Sequence, residues 1–337
     1  MPEHFGRIAV GQAYDPIGFP NSMTPLRIIF FGTAELSCAS LQALAHAPQF
    51  HVVAVVTQPD KPKGRDLKLQ PSPVKVVAGA LGLPLLQPLK ARDPGFLTEL
   101  AALQPDLFVV VAYGQILPQS LLDLPRHGCL NVHTSLLPHY RGAAPIQWAI
   151  ADGQAETGVT IMKMDAGLDT GPILSVRKTA ILASDDSQIL HDRLAQLGAE
   201  LLVATIPGYV AGTILPQPQP TAGSTYAAKI KKEDSQIVWS QPAEQIWNRL
   251  RAFTPWPGAY TFLPGESKMP LLKIWKADVT EGVGTAGTIL TADKTGLVIA
   301  CGSAALRVHE VQREGSKRMA VESFLAGHPL QPGDRLG

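Results

Sequence analysis

The chain is short of several things, and each shortage removes a class of function. It has three cysteines in 337 residues, Cys38, Cys129 and Cys301, an odd number set far apart. A disulfide framework is not expected, which fits a reducing compartment. No apolar run approaches the roughly 18 residues a membrane span requires, and the N-terminus lacks the basic-then-apolar order of a secretory signal. The expectation is a protein that is neither secreted nor membrane-bound, working in the cytoplasm or the equivalent stroma or matrix of an organelle. Charge of one sign is not in excess either. The formal net charge is +1, so nucleic-acid contact would need local basic patches. Charged residues make up 17% against 45% hydrophobic, a globular composition, and the length suffices for two cores.

Several motifs are also missing. After the first apolar run stands Gly32-Thr-Ala-Glu, with one glycine, so the Gly-x-Gly-x-x-Gly of a nicotinamide dehydrogenase is absent. There is no Gly-x-x-x-x-Gly-Lys-[Ser/Thr] phosphate loop, and no Gly-x-Ser-x-Gly elbow that would make Ser135 a nucleophile. His127, Cys129, His133 and His139 fit no usual zinc spacing, and no metal is expected.

What is present is organised in two halves. Leu26–Phe31, His51–Thr57, Leu83–Leu86, Leu107–Ala112, Leu130–His133 and Val159–Met164 read as short buried strands. Helical stretches at Glu35–Ala47, Pro73–Leu81, Phe96–Leu103 and Ser187–Ala204 fall among and after them. That alternation predicts a mostly parallel sheet covered on both faces. Ligands then sit beyond the carboxyl ends of the strands, after Phe31, Ala112, Val132 and Met164. Pro207 to Ser224, with Pro216, Pro218 and Pro220 alternating with polar residues, reads as a linker. Past a helix at Ala243–Phe253 come short runs at Ala259–Leu263, Leu271–Ala277, Gly287–Leu290, Leu297–Ala300 and Ala305–Val311. These predict a small, mostly antiparallel β-barrel. Residues 1–25 carry Gly, Pro and Asn without periodicity and are expected to form a flexible extension, with Met23 a candidate start.

Three segments carry candidate chemistry. In the first, Asn131 and His133 stand two apart on a strand and so share a face. An amide donor beside an imidazole suits acyl chemistry, where an oxyanion develops and a proton moves. Alone, the pair is as well explained by a capped loop carbonyl and a hydrogen-bonded core histidine. In the second, a strand runs into the Gly-punctuated loop bearing Asp165 and Asp169, where an aspartate can orient an imidazole or merely close an Asx-turn. The third is the polar stretch 58–73, with Lys61, Lys63, Arg65 and Lys68. It can meet phosphates or simply be a solvated loop.

These segments together resemble the methionyl-tRNA formyltransferase family of folate-dependent formyltransferases. Asn-Val-His-Thr-Ser-Leu-Leu-Pro-His-Tyr-Arg-Gly-Ala-Ala-Pro-Ile-Gln (131–147) is similar to that family's active-site strand and loop, and Gly-Val-Thr-Ile-Met-Lys-Met-Asp-Ala-Gly-Leu-Asp-Thr-Gly (158–171) to a signature shared by folate-dependent formyltransferases. Gln-Pro-Asp-Lys-Pro-Lys-Gly-Arg (58–65), Val-Val-Ala-Tyr-Gly-Gln-Ile-Leu-Pro (110–118), Tyr-Ala-Ala-Lys-Ile (226–230) and Arg-Ala-Phe-Thr-Pro-Trp-Pro-Gly-Ala (251–259) follow in family order. His139-Tyr140 stands where the family more often has Arg-Trp, and Thr134 where a smaller residue is frequent.

The resemblance implies a catalytic trio of Asn131, His133 and Asp169. It implies folate contacts at Gln115, Ile116, Leu117, Ser135, Leu136, Leu137, Pro138 and Asp165. It implies tRNA contacts at Lys61, Lys63, Arg65, Lys68, Lys229, Lys231 and Lys232. The co-substrate would be 10-formyltetrahydrofolate, the partner methionyl initiator tRNA, and the working form a monomer. A formyltransferase acting on a sugar-nucleotide amine is the nearest alternative, and the basic stretch 58–73 speaks against it. The expected architecture is α/β: a Rossmann-like catalytic domain over 26–206, a linker over 207–224 and an OB-like β-barrel tRNA-binding domain over 225–330.

Overall fold

The computed structural model describes residues 24–63, 68–264, 270–294 and 296–337. The first 23 residues of the expected extension, and Arg65, lie outside the described residues.

The first half builds a seven-stranded sheet. Strand β1 (Leu26–Gly32) leads to helix α1 (Leu36–His46), then β2 (Phe50–Val56). The basic stretch follows as two short strands, β3 (Lys61–Lys63) and β4 (Lys68–Gln70), paired antiparallel. Next come α2 (Pro73–Ala80), β5 (Leu85–Leu86), α3 (Pro94–Ala102), β6 (Leu107–Val111), α4 (Gln119–Leu122) and β7 (Cys129–His133). A two-residue strand β8 (Arg141–Gly142) and α5 (Pro145–Ala151) lead to β9 (Glu156–Lys163), β10 (Ile173–Ala180) and the long α6 (Ser187–Val210). Several helix starts are written in the sequence. Ser72 accepts from Lys75 N at 3.0 Å, Asp93 from Gly95 N at 2.8 Å, and Asp186 from Gln188 N at 2.9 Å, with Pro73 and Pro94 in the first turns they cap.

The sheet order is β10-β9-β7-β6-β1-β2-β5. The five strands from β7 to β5 run parallel, and both faces are covered, which is why they are apolar at nearly every position. β1 sends Ile28 and Phe30 into one core and Ile29 and Phe31 into the other, and β6 divides Val109 from Phe108 in the same way. α1 and α6 pack together on the first face, while α3 and α4 bring Phe96, Leu100, Leu121 and Leu122 to the second. Gly198 lets α6 lie close over β7, since a Cβ there would stand 2.8 Å from Val132 Cγ1.

One expectation is corrected here. β9 runs antiparallel to β7, pairing Leu130 with Lys163 and His133 with Thr160. Met164 therefore sits at the amino end of β7, donating its N–H to the Cys129 carbonyl at 2.8 Å, and not beyond the carboxyl ends. The loop after it doubles back along the sheet.

The second half is a smaller antiparallel sheet domain. After β11 (Tyr226–Ala227), which pairs with β8, and α7 (Ala243–Ala252) come β12 (Tyr260–Phe262), β13 (Leu271–Thr280), β14 (Ile289–Asp293), β15 (Gly296–Ala300), β16 (Ala305–Arg313), β17 (Met319–Ala320) and α8 (Val321–Gly327). The order is β12-β13-β16-β15-β14, with β17 beside β16. The outer strands β12 and β14 are joined through the C-terminal tail. Gly337 and Phe262 exchange both backbone hydrogen bonds, at 2.8 and 3.2 Å, while Ile289 N donates to Asp334 O at 2.8 Å. Leu336, beyond the last expected strand, is buried in this core.

The halves are in firm contact. Ala252 and Phe253, at the end of α7, belong to the core of the first sheet, and Trp148 of α5 meets Phe253 edge-on at 6.5 Å. Among the described residues no helix is long and apolar enough to cross a membrane.

Candidate active site

β7 alternates its side chains between the two faces. Leu130 and Val132 enter the core under α6, so Asn131 and His133 point the other way, as the two-residue spacing predicts. There they meet a cleft of about 460 Å³. Its walls are the turn after β6, with Tyr113, Gln115, Ile116 and Leu117, the β9–β10 loop with Asp165 and Asp169, and Gly142 and Tyr226 from β8 and β11. The position is the one an α/β sheet of this order prescribes, next to the crevice between β1 and β6, where the winding reverses.

The doubled-back loop brings Asp169 onto β7. Its Oδ1 accepts from Asn131 Nδ2 at 3.3 Å and its Oδ2 from the backbone N–H of Gly142 at 2.8 Å. The same Oδ2 lies 3.7 Å from His133 Nδ1. His133 Nε2 is 2.9 Å from the carbonyl of Tyr140. A carbonyl can only accept, so Nε2 carries a hydrogen and Nδ1 is the nitrogen left to exchange a proton on the Asp169 side. Both supporting residues have left-handed backbone, Tyr140 at φ +57° and Asp169 at φ +53°, conformations that persist only where the surroundings impose them. Gly142, at φ +112°, is required for space as well, since a Cβ would stand 2.6 Å from the Tyr226 ring. His133 is 5% exposed, whereas the Asp169 side chain keeps 15% of its surface, open to the cleft.

The other residues singled out in the sequence divide. Gln115, Ile116, Leu117 and Asp165 line the cleft with the trio. Gln115 is fixed by accepting from Ala91 N at 2.9 Å, and Asp165 closes its own turn by accepting from Gly167 N and Thr170 Oγ1. Ser135, Leu136, Leu137 and Pro138 are not among the cleft-lining residues. Three of their polar groups are taken up by other parts of the fold. Ser135 Oγ donates to His139 O, Leu137 N donates to Thr160 Oγ1, and Pro138 O accepts from Thr225 N. Lys61 and Lys68 are exposed on the β3–β4 pair with Lys63 between them; neither Lys61 nor Lys68 lines the cleft, though Lys61 Nζ donates to Gln58, whose Nε2 donates to the carbonyl of the cleft-lining Tyr113. Lys229, Lys231 and Lys232 are exposed just past β11.

The sequence reading missed Tyr140, Gly142 and Tyr226 as parts of the site. Gly142 had one signal, a glycine close behind a histidine strand. Tyr113, beside the cleft, is 1% exposed, and burial pushes its phenol up to about 12. Cys129, two residues before Asn131, has its thiol pushed up to about 12, by burial first and Asp123 second, so it is no nucleophile.

Comparison with known proteins follows the same lines. A family profile described as "Formyl transferase" matches residues 26–206, and "Formyl transferase, C-terminal domain" matches 229–329. The methionyl-tRNA formyltransferase of Citrifermentans bemidjiense is 51% identical over 315 residues, covering 94% of this chain and 98% of that one. The methionyl-tRNA formyltransferase of Trichlorobacter lovleyi is 52% identical over 314 residues, covering 93% and 98%. Among solved structures, the N-formyltransferase from Helicobacter canadensis in complex with folinic acid and dTDP-3-aminofucose superposes with a TM-score of 0.62 over 87% of this chain and 100% of its own, at 19% identity. That likeness is one of fold.

Proposed function

The chain belongs to the methionyl-tRNA formyltransferase family, and on that footing we propose that it moves the formyl group of 10-formyltetrahydrofolate to the α-amine of methionine esterified to initiator tRNA. The observation that carries the catalytic part is the convergence of Asn131, His133 and Asp169 on one wall of the cleft. About 460 Å³ is ample for a folate head group, and the exposed Ile116 and Leu168 offer a flat ring apolar surface.

The neutral amine attacks the formyl carbon, and the carbonyl oxygen becomes an oxyanion. Asn131 spends one amide hydrogen on Asp169 and keeps a second for that oxygen. His133, tethered at Nε2, works through Nδ1: protonated, it donates to the oxyanion. Asp169 faces the same nitrogen at 3.7 Å and takes part in relaying the proton the amine gives up to the departing folate nitrogen. Each donor preorganised at a developing charge is worth roughly 2.7–4 kcal/mol of barrier.

Lys61 and Lys68, exposed on β3 and β4, together with Lys63 of β3 and with Lys229, Lys231 and Lys232, are the basic groups offered to the acceptor's phosphates. The cytoplasm, where the initiator tRNA is charged, is the site of action, and one chain carries a complete trio, so a monomer suffices.

The test is a formylation assay with charged initiator tRNA, run beside one with an amino-sugar nucleotide. Formylation of the tRNA alone is expected. Transfer to the sugar alone would overturn the acceptor assignment. Asn131→Ala, His133→Ala and Asp169→Ala should each lower kcat by about 10²–10³ and leave folate affinity nearly unchanged. Ordinary turnover in one of them removes that residue from the scheme.

A further inference from the structure

Gln219 belongs to the proline-alternating stretch between the two sheets, which the reaction scheme does not use. Its carboxamide is nonetheless committed on both sides. Nε2 donates to the carbonyl of Asp169 at 2.7 Å and to that of Gly171 at 2.8 Å. Oε1 accepts from Arg141 Nε at 3.1 Å and Nη2 at 2.6 Å. A carboxamide has two N–H hydrogens, and both are spent on one turn.

That turn is the one that needs holding. Asp169 sits in the left-handed region at φ +53°, a conformation that a residue with a Cβ adopts at a cost. Gly171 approaches the Lys163 carbonyl so closely that a Cβ would stand 1.8 Å from the oxygen. The donor is itself well anchored. Gln217 exchanges backbone hydrogen bonds with Ile173 at 2.7 and 2.8 Å, and Pro218 and Pro220 fix φ on either side of Gln219.

We propose that Gln219 is a positioning residue: its carboxamide, braced by Arg141, fixes the turn that aims the Asp169 carboxylate at His133. The inference rests on the reading of Asp169 as a member of the reacting trio. It gives the connecting segment a part in the chemistry without any contact to substrate.

Two variants separate the possible roles. Gln219→Met keeps the length and loses every hydrogen bond. Gln219→Glu still accepts from Arg141 but can no longer donate to the two carbonyls. Both are to be assayed in the full-length enzyme for kcat, for KM with each substrate, for the pH–rate profile and for melting temperature, beside Asp169→Asn. A misplacement of about 1 Å costs on the order of 10² in rate. Both Gln219 variants are therefore expected to lose about 10–100-fold in kcat and to shift the pH–rate profile, with KM and melting temperature close to wild type. Adding Gln219→Glu to Asp169→Asn should cost nothing further, because the first acts through the second.

Gln219→Glu with wild-type kcat overturns the proposal, and so does a loss that adds in full to that of Asp169→Asn. A fall in kcat matched by a fall in melting temperature assigns Gln219 a structural role only. If Gln219→Met does not fold, Gln219→Glu decides alone. Normal turnover in Asp169→Asn overturns the trio reading instead, and is told apart by that single variant.

Discussion

Asp185 shows how much one side chain can hold. Its carboxylate is 1% exposed and takes a two-pronged bond from Arg193, at 2.6 and 2.9 Å, with a third from Leu182 N at 2.8 Å. Arg251, from the second half, donates to its backbone carbonyl at 3.0 Å. Burial alone would raise the carboxyl pKa, but the bonds from Arg193 and Leu182, with the charges of Arg193 and Arg251, outweigh it and hold it below the ordinary value. A carboxyl depressed on folding contributes stability above its unfolded pKa, about 3.9, and loses it as the pH falls through the lower folded value. Asp185→Asn should therefore melt well below the wild type at pH 7, with a cost up to the roughly 3–5 kcal/mol of a broken buried pair. The difference should shrink as the pH is lowered past 4, roughly the unfolded carboxyl value. Melting curves across that range check the sign. A gap that widens in acid would mean the pair is not what Asp185 supplies.

At the scale of elements, the basic stretch 58–73 holds two short paired strands, β3 and β4, whose register sets Lys63 opposite Lys68 and Lys61 opposite Gln70. Such a stub has no core of its own and works as a presented surface. Lys61→Ala and Lys68→Ala should raise the tRNA KM without altering kcat, and each should reduce the slope of log KM against log salt by about one. A salt slope equal to that of the wild type would detach the strand pair from the acceptor. The elements that carry the core were legible from sequence because apolar runs such as Val52–Val56 admit no other burial. The same-face geometry of Asn131 and His133 followed from the period of a strand. The direction of β9 was not legible: Val159–Met164 looks the same run either way, and only its pairing with β7 turns the Asp169 loop back over the cleft. The segment 207–224 reads as linker because its prolines alternate with polar residues, yet its first four residues continue α6, with Pro207 inside the helix. What it does there depends on Gln219 meeting residues 169 and 171, a contact about fifty positions away that no local pattern encodes. The short helices α4 and α5 escaped for want of periodicity over so few residues.

For the whole molecule, the second sheet closes through the last residues of the tail, so its integrity depends on residues distant from any strand pattern. Leu336→Ala should destabilise this half by about 2–5 kcal/mol, seen as an early transition in chemical denaturation while the cleft still binds folate. A single unshifted transition would show that the tail only decorates the sheet. The halves are tied by Ser187 Oγ donating to Thr254 O at 2.6 Å and by Trp148 Nε1 donating to Ala228 O at 2.7 Å, besides Phe253 in the first core. The trio is divided between two very different mountings. Asn131 and His133 ride on a strand enclosed by neighbours on both sides, whereas Asp169 hangs on a loop beside an edge hairpin, held from outside by a segment of the connecting chain. In deuterated water the amides of β7 should exchange only with global unfolding, while those of 166–171 exchange through small local openings. One side of the candidate trio is thus as durable as the fold, while the other is open to local excursions that a ligand seated in the cleft would suppress.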